Sequence, residues 1–262
     1  MPRHSFAIER HSEVDSTNAV ALRAMQSLSA GPFPRRAWVA DAQMGGRGQQ
    51  GRTWSAAPGE ALLMSLVWHF RTDQPLYGLS LAVGVIAEQA LTSLPGIASA
   101  MIGLKWPNDL LIDGERKLGG ILIETLPHPT GRIAVIGIGI NLHSAPLLPA
   151  TGTQAGPPSL VPACLDDIAQ TPVSRDAVLE ALLASCEAEL PQFAAHGFVA
   201  FRARWQQRHS LQRRPVVARL PDGRQLHGVV RDVADNGALQ LATDDGLHTL
   251  VSGEVSLRAA RT

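Results

Sequence analysis

The chain has 262 residues with 23 basic and 23 acidic side chains, 45% apolar and 5% aromatic residues, which fits one large domain or one with a small appendage. Zero formal charge and a pI near 7.1 argue against a protein whose main task is to hold bare nucleic acid or an anionic membrane. The longest apolar stretch, residues 79–87, falls far short of the roughly 20 residues that cross a bilayer. Residues 1–4 lead into no apolar signal segment, so a soluble, cytoplasmic protein is expected. Cys164 and Cys186 form neither a disulfide framework nor a metal-ligand spacing and read as reduced core thiols.

In chain order, Ser16 caps a predicted helix that starts at Asn18 and ends before Gly31-Pro32. Residues 37–42 read as a short strand running into a glycine-rich loop at 45–51. A second strand covers 62–70 and a largely buried helix 79–94. Strand signals follow at 100–106, 110–112 and 120–125, separated by the turns Pro107-Asn108-Asp109 and Asp113-Gly114, with another at 132–142. Residues 144–162, rich in Pro, Gly, Ala and Thr, suit an exposed loop. Ser174 can cap a helix striped by Val178, Leu179, Leu182, Leu183, Cys186 and Leu190; Pro191 should end or kink it, and helical spacing resumes over 198–208. From Pro215 onward, short β-rich runs are separated by Asp222-Gly223, Asn236-Gly237 and Asp245-Gly246, the texture of a small barrel or sandwich. So short a tail should pack on the rest. The expectation is an α+β main domain over residues 1–212 and an all-β tail over 213–262.

Of the 23 basic residues 21 are arginine, and Lys105 and Lys117 are the only lysines. In such a chain a retained lysine marks either chance or a position that needs a compact ammonium rather than a planar guanidinium. Lys117 sits where a loop enters the apolar strand Gly120-Ile-Leu-Ile, beside paired glycines that leave space above the backbone. It reads as a buried point charge for a ligand carboxylate or phosphate. Lys105-Trp-Pro-Asn-Asp109 is explained by its turn formers as a hairpin.

The loop Gly45-Gly46-Arg47-Gly48-Gln49-Gln50-Gly51-Arg52, with Trp54 just beyond, can turn sharply and present amides beside two guanidiniums to an anion; a plain surface loop is the alternative. It is no Walker loop, because no Gly-Lys-Ser/Thr follows. In Ile136-Gly-Ile-Gly-Ile-Asn141, period two puts the isoleucines on one side and Gly137, Gly139 and Asn141 on the other. Bare glycines imply that either a ligand or a closely packed element fills that side, where Asn141 can hydrogen-bond it. Ser16-Thr17-Asn18 suits either helix capping or a polar ligand group. The chain shows no Gly-x-Ser-x-Gly, no His/Cys metal cluster and no dinucleotide fingerprint. The remaining chemistry is positioning with charge stabilisation, as in phosphoryl or nucleotidyl transfer.

These segments, in this order, resemble the biotin protein ligases, or biotin–[acetyl-CoA-carboxylase] ligases. The matching pieces are Asp15-Ser-Thr-Asn18, Gln43, the loop 46–54, Lys105-Trp-Pro-Asn-Asp109, Arg116-Lys-Leu-Gly-Gly-Ile-Leu-Ile-Glu124, Gly137-Ile-Gly-Ile-Asn141 and Gly253-Glu-Val-Ser-Leu-Arg258. They span nearly the whole chain, and the resemblance alone points to biotin. It implies a mixed-sheet catalytic domain of the biotin/lipoate ligase type with a small SH3-like C-terminal barrel. It also implies two steps: biotin and MgATP give biotinyl-5′-AMP, and a lysine of a biotin carboxyl carrier protein then takes the biotinyl group. By similarity, Ser16, Thr17, Asn18 and Gln43 would orient the biotin head group, and Arg47, Gly48 and Gln49 would close over the intermediate. Lys117, with Arg47, would carry the catalysis by bridging carboxylate and phosphate. Arg52, Trp54, Asn141 and Arg258 would hold the nucleotide, and no protein metal ligand is expected.

Gln49 stands where the family usually has arginine, which should weaken retention of the adenylate. Only about 15 residues precede Ser16, so the winged helix of repressor-type ligases is not expected, nor are DNA or membrane partners. A homodimer formed by sheet extension is compatible with the pattern. The rivals are a lipoate–protein ligase, disfavoured because an Arg-Arg-x-Ser-Gly-Gly-Gly type loop is missing, a non-catalytic ligand-sensing adaptor, and a nucleic-acid module.

Overall fold

The computed structural model describes residues 4–26, 33, 35–48, 53–71, 75–146, 160–220, 222–251 and 256–259. Its larger sheet has seven strands: β1 (Ala7–Val14), β2 (Arg36–Gln43), β3 (Ala61–Phe70), β4 (Ile102–Lys105), β5 (Asp109–Ile112), β6 (Arg116–His128) and β7 (Gly131–Asn141). Their order is β1-β2-β3-β7-β6-β5-β4. Only the β1–β2 pair is parallel, which makes the sheet mixed, as expected. β3 and β7 are the central strands and are apolar nearly throughout, because helices cover both of their faces.

Alternate residues of these strands divide the interior into two clusters. Leu66 and Ile136 face the main core with α2 (Leu79–Thr92) and α3 (Arg175–His196). Val67 and Val135 face Ala21 and Met25 of α1 (Thr17–Gln26) on the other side. Ile136, Ile138 and Ile140 all enter the main core, so the predicted facing of β7 holds. Cys164 and Cys186 are both buried and free.

A second sheet, all antiparallel, contains β8 (Pro215–Arg219), β9 (Gln225–Val233), β10 (Leu239–Thr243), β11 (Gly246–Leu250) and β12 (Ser256–Ala259), in the order β11-β10-β9-β8-β12. The expected barrel is not closed: β11 and β12 are its two edges. Its apolar residues, among them Val216, Val230, Leu239 and Leu257, run into the main core instead of sealing on one another. The tail is fastened by α4 (Val199–Arg208), whose Arg202 donates to the Val233 carbonyl (2.6 Å) and to Asp232 (2.6 Å). Trp106, in the β4–β5 turn, donates its indole N–H to the carbonyl of Gly237 (3.1 Å). Gly237 has φ of 80°, and a Cβ there would lie 2.7 Å from the Cα of Gly78, so both the turn and the close approach require glycine.

Several expectations need correction. Pro191 does not end α3, which continues to His196 because Leu190 and Phe193 on either side of it are buried; Gly197, with φ of 65°, stops it. β1 went unpredicted because its polar sequence, half-exposed at a sheet edge, carries no apolar alternation. β6 begins at Arg116 rather than 120. Residues 160–162 are not simply exposed loop: the Lys117 amide donates to the Val161 carbonyl (2.7 Å), and the Ala163 amide donates to that of Lys117 (2.9 Å). The predicted end of the first helix lies outside the described residues. Among the described residues no helix is long and apolar enough to cross a membrane.

Candidate active site

One cavity of about 270 Å³ opens on the α1 side of the sheet, where the first turn of α1 meets β3, β7 and β6. The floor follows from register. Ser65 of β3 pairs with Gly137 of β7, which pairs with Leu122 of β6; the next row in reach is Leu63, Gly139 and Gly120. Glycines on this face leave a trough, and the structure shows what enters it. A Cβ on Gly137 would lie 3.0 Å from Cγ of Asn18, and one on Gly139 would lie 2.8 Å from the Trp54 ring. The protein's own Asn18 and Trp54 therefore occupy the space, and both line the cavity.

Ser16, Thr17 and Asn18 are all buried. Asp15 braces the turn, accepting from the Ser16 amide (2.8 Å) and from both ends of the Arg23 guanidinium (2.7 and 3.0 Å). Arg23 is the main reason that the Asp15 carboxyl is lowered to about 2. The Thr17 amide donates to Oε1 of Gln43 (2.8 Å). Asn18 donates from Nδ2 to Glu124 (2.8 Å) and to the Leu122 carbonyl (3.3 Å). Ser65 Oγ stands 2.7 Å from Thr17 Oγ1 and 2.6 Å from Asn18 Oδ1. Ser16 does both things its sequence allowed: its Oγ accepts from the Ala19 amide (3.4 Å), a long capping bond, and it lines the cavity.

At the other end stand the cations. The β5–β6 register slips between Leu110 and Leu111, so that Leu110 pairs with Gly119 and Leu111 with Lys117; Leu118 is the extra residue, and the bulge re-aims Lys117. Lys117 Nζ lies 2.5 Å from Asp109 Oδ1 and 5.4 Å from the Trp54 ring centroid. Its side chain is 28% exposed, against 3% for Lys105, so the buried charge expected at 117 belongs to Lys105. Lys105 Nζ holds the other oxygen of Asp109 at 3.0 Å. Burial by itself would push the Asp109 carboxyl up, but the two ammoniums outweigh it and hold the group below the usual carboxylate range. Burial pushes Lys105 down; Asp109 resists, while Arg258 and Lys117 add to the lowering.

Arg47 and Gly48 line the mouth, the Arg47 guanidinium 3.9 Å from Glu124, and a bridge from Arg47 to Thr53 pinches the loop. Arg258 reaches the cavity from β12 and donates to its neighbour's carbonyl at Leu257 (3.0 Å). Asn141, 2% exposed, donates to the Ala163 carbonyl (2.8 Å). Its Oδ1 and the Trp54 Nε1 are buried without a hydrogen-bond partner among the described residues, an acceptor and a donor available to a ligand with complementary edges.

Ser16, Thr17, Asn18, Gln43, Arg47, Gly48, Trp54, Lys117, Asn141 and Arg258 thus line a single cavity. Gln49 and Arg52 lie outside the described residues. Three participants were not singled out from sequence. Asp109 was explained as a turn residue, although its spacing of four from Lys105 across a tight hairpin signals a pair. Ser65 is the lone hydroxyl in an apolar strand, and Glu124 ends a motif quoted only for resemblance. Among the described residues, no three His, Cys, Asp or Glu gather to hold a metal. Uncharged hydrogen-bonding groups at one end and cations at the other suit a substrate with a polar neutral head and an anionic tail, beside a second anion.

Residues 13–141 match the biotin/lipoate A/B protein ligase family, and residues 214–258 match the biotin protein ligase C-terminal domain. A biotin–[acetyl-CoA-carboxylase] ligase from Paracoccus denitrificans is 33% identical over 248 residues, covering 92% of this chain and 96% of the relative. The bifunctional ligase/repressor BirA of Escherichia coli is 32% identical over 250 residues, covering 94% of this chain and 73% of that protein. A biotin protein ligase from Aquifex aeolicus, solved with biotin and ATP, superposes with a TM-score of 0.76 at 26% identity, covering 97% of this chain and 99% of the other.

Proposed function

Because this chain belongs to the biotin protein ligases, we propose that it is an ATP-dependent biotin–[acetyl-CoA-carboxylase] ligase. The biotin carboxylate attacks the α-phosphorus of MgATP, pyrophosphate leaves with the electron pair of the broken P–O bond, and biotinyl-5′-AMP remains bound. A neutral lysine amine of the biotin carboxyl carrier protein then attacks the acyl carbon, AMP departs with the electron pair of the broken anhydride bond, and the amine loses its proton to solvent. Residues 1–212 carry the chemistry and residues 213–262 contribute Arg258 to it, in a protein that works in the cytoplasm.

The cavity supplies what these steps need. Ser16, Thr17, Asn18 and Gln43 form a fixed hydrogen-bonding wall for the uncharged head group. Lys117 faces the place where two anions must approach, and its ammonium offsets charge that grows on the phosphate during attack. Arg47 and Arg258 add cationic character on either side, and Asn141 and Trp54 offer their unmatched acceptor and donor to the nucleotide. The described lining holds neither His nor Cys to serve as base or thiol nucleophile, so catalysis rests on alignment and electrostatics. The observation that carries this reading is that one cavity holds the polar wall at one end and Lys117 among the cations at the other.

The test is incubation with biotin, MgATP and an apo-carrier domain, read by intact mass. A single biotinyl gain on the carrier that requires all three components supports the reading. Lipoyl transfer in preference to biotinyl transfer, or biotin binding without adenylate formation, overturns it in favour of a lipoate ligase or a sensor.

A further inference from the structure

The only two lysines in a chain otherwise supplied with 21 arginines meet on one carboxylate. Lys105 comes from β4 and Lys117 from β6; Asp109, opening β5 between them, gives Oδ2 to the first at 3.0 Å and Oδ1 to the second at 2.5 Å. Asp109 and Lys117 line the cavity, and Lys105 does not: it stands behind the carboxylate, sealed from solvent. An ammonium so placed touches no substrate. Its effect must pass through Asp109.

We propose that Lys105 is a positioning residue which, by occupying one oxygen of Asp109, fixes the carboxylate toward Lys117 while leaving Lys117 with positive charge to spare for the reacting anions. The charge count gives the reason. Asp109 with Lys117 alone is a neutral ion pair, and a carboxylate lining the cavity beside Lys117 would repel incoming anions. Adding Lys105 makes the triad singly positive without placing a second flexible amine in the cavity. A compact ammonium suits the inner position, where one oxygen of Asp109 is the partner, better than a planar fork that is built to take two. His209, buried and near Lys105, is held neutral by burial and does not add to that count. Arg258 contributes further like charge from β12. This role rests on the ligase reading for its effect on rate, but not for its effect on Lys117.

The experiment therefore has two arms, with Lys105→Met, Asp109→Asn and the double variant compared with wild type after thermal melting establishes that each is folded. In the first arm, biotin-dependent ATP–pyrophosphate exchange is followed against pH. Lys105→Met is expected to lower kcat on the order of tenfold or more, with the KM for biotin little changed. The acid limb of its profile should move upward, since Asp109 keeps the cost of burial and loses one of its two cations. In the Asp109→Asn background, which also removes the unpaired buried charge that could prevent folding, Lys105→Met should add less than about a twofold loss. Additive losses, or an unmoved acid limb, overturn the proposal.

In the second arm, acylation of Lys117 by acetic anhydride at pH 8 is read by peptide mass; with two lysines in the chain the assignment is unambiguous. Without Lys105 both oxygens of Asp109 are free to hold the Lys117 amine, so Lys105→Met should slow labelling of Lys117 by about threefold or more. Equal rates overturn the proposal. If wild type shows no exchange with biotin, the ligase reading fails, and the labelling arm alone still decides whether Lys105 acts on Lys117.

Discussion

Replacing Gly137 by alanine tests how the head-group wall is built. The added Cβ falls 3.0 Å from Cγ and 3.2 Å from Nδ2 of Asn18, with Oδ1 nearer still. Asn18 has no easy retreat, being held by Glu124 (2.8 Å), the Leu122 carbonyl (3.3 Å) and Ser65 (2.6 Å). Overpacking of this kind costs about 1–3 kcal/mol, and each buried hydrogen bond broken in relieving it costs about 1 kcal/mol more. The expected destabilisation is about 2–4 kcal/mol, read from the midpoint of denaturant unfolding. Because Asn18 turns away, biotin affinity measured by calorimetry should fall about 10–100-fold. The companion variant Asn18→Ala removes the obstructed group, so the double variant should be more stable than the sum of the singles predicts by about 1 kcal/mol or more. Strict additivity, or a biotin Kd within about threefold of wild type, would refute this account of the trough.

Lys117→Ala should cost about a hundredfold or more in adenylate formation, measured by pyrophosphate exchange, while head-group binding by calorimetry changes far less; a parallel loss of both contradicts its assigned role. Gln49→Arg restores the cation usual in the family and should slow escape of biotinyl-5′-AMP in single-turnover assays; unchanged release discards the idea. His209 stacks on Trp205 with ring centroids 4.3 Å apart, and burial pushes its pKa from 6.5 down to about 3. The unfolded chain takes up a proton that the native chain refuses, so the His209 contribution is complete above pH 6.5 and is lost as pH falls. The slope is about 1.4 kcal/mol per pH unit. His209→Phe should remove that part of the acid sensitivity in unfolding titrations, and an unchanged slope disproves it.

The fold was legible where periodicity had a physical cause. The apolar strands β3 and β7 and the helix α2 are buried by neighbours on every side, and their sequences say so. β1 was not legible, because an edge strand satisfied on one side needs no apolar face. The run of α3 through Pro191 was hidden for a different reason: burial of Leu190 and Phe193 outweighs a local helix breaker, and nothing in the local pattern weighs tertiary contacts. The barrel failed to close because the tail's apolar side had another core to join. In the site, Lys117, Asn141 and the polar triplet at the start of α1 stood out because their residue types were at odds with their surroundings. Asp109 did not, since aspartate is ordinary in a turn, and its partnership with both lysines exists only once β4, β5 and β6 lie side by side.

The bond from Trp106 to Gly237 bears on how the chain may be divided. Trp106 is fully buried, and the acceptor of its indole proton, the Gly237 carbonyl, lies in the turn between β9 and β10 of the C-terminal sheet. Severed at 212, the first fragment would keep every group that touches biotin yet carry an orphaned donor at the heart of its hairpin, and the apolar undersides of both halves would open to water. Fragment complementation, rather than independent activity, is the behaviour this seam dictates.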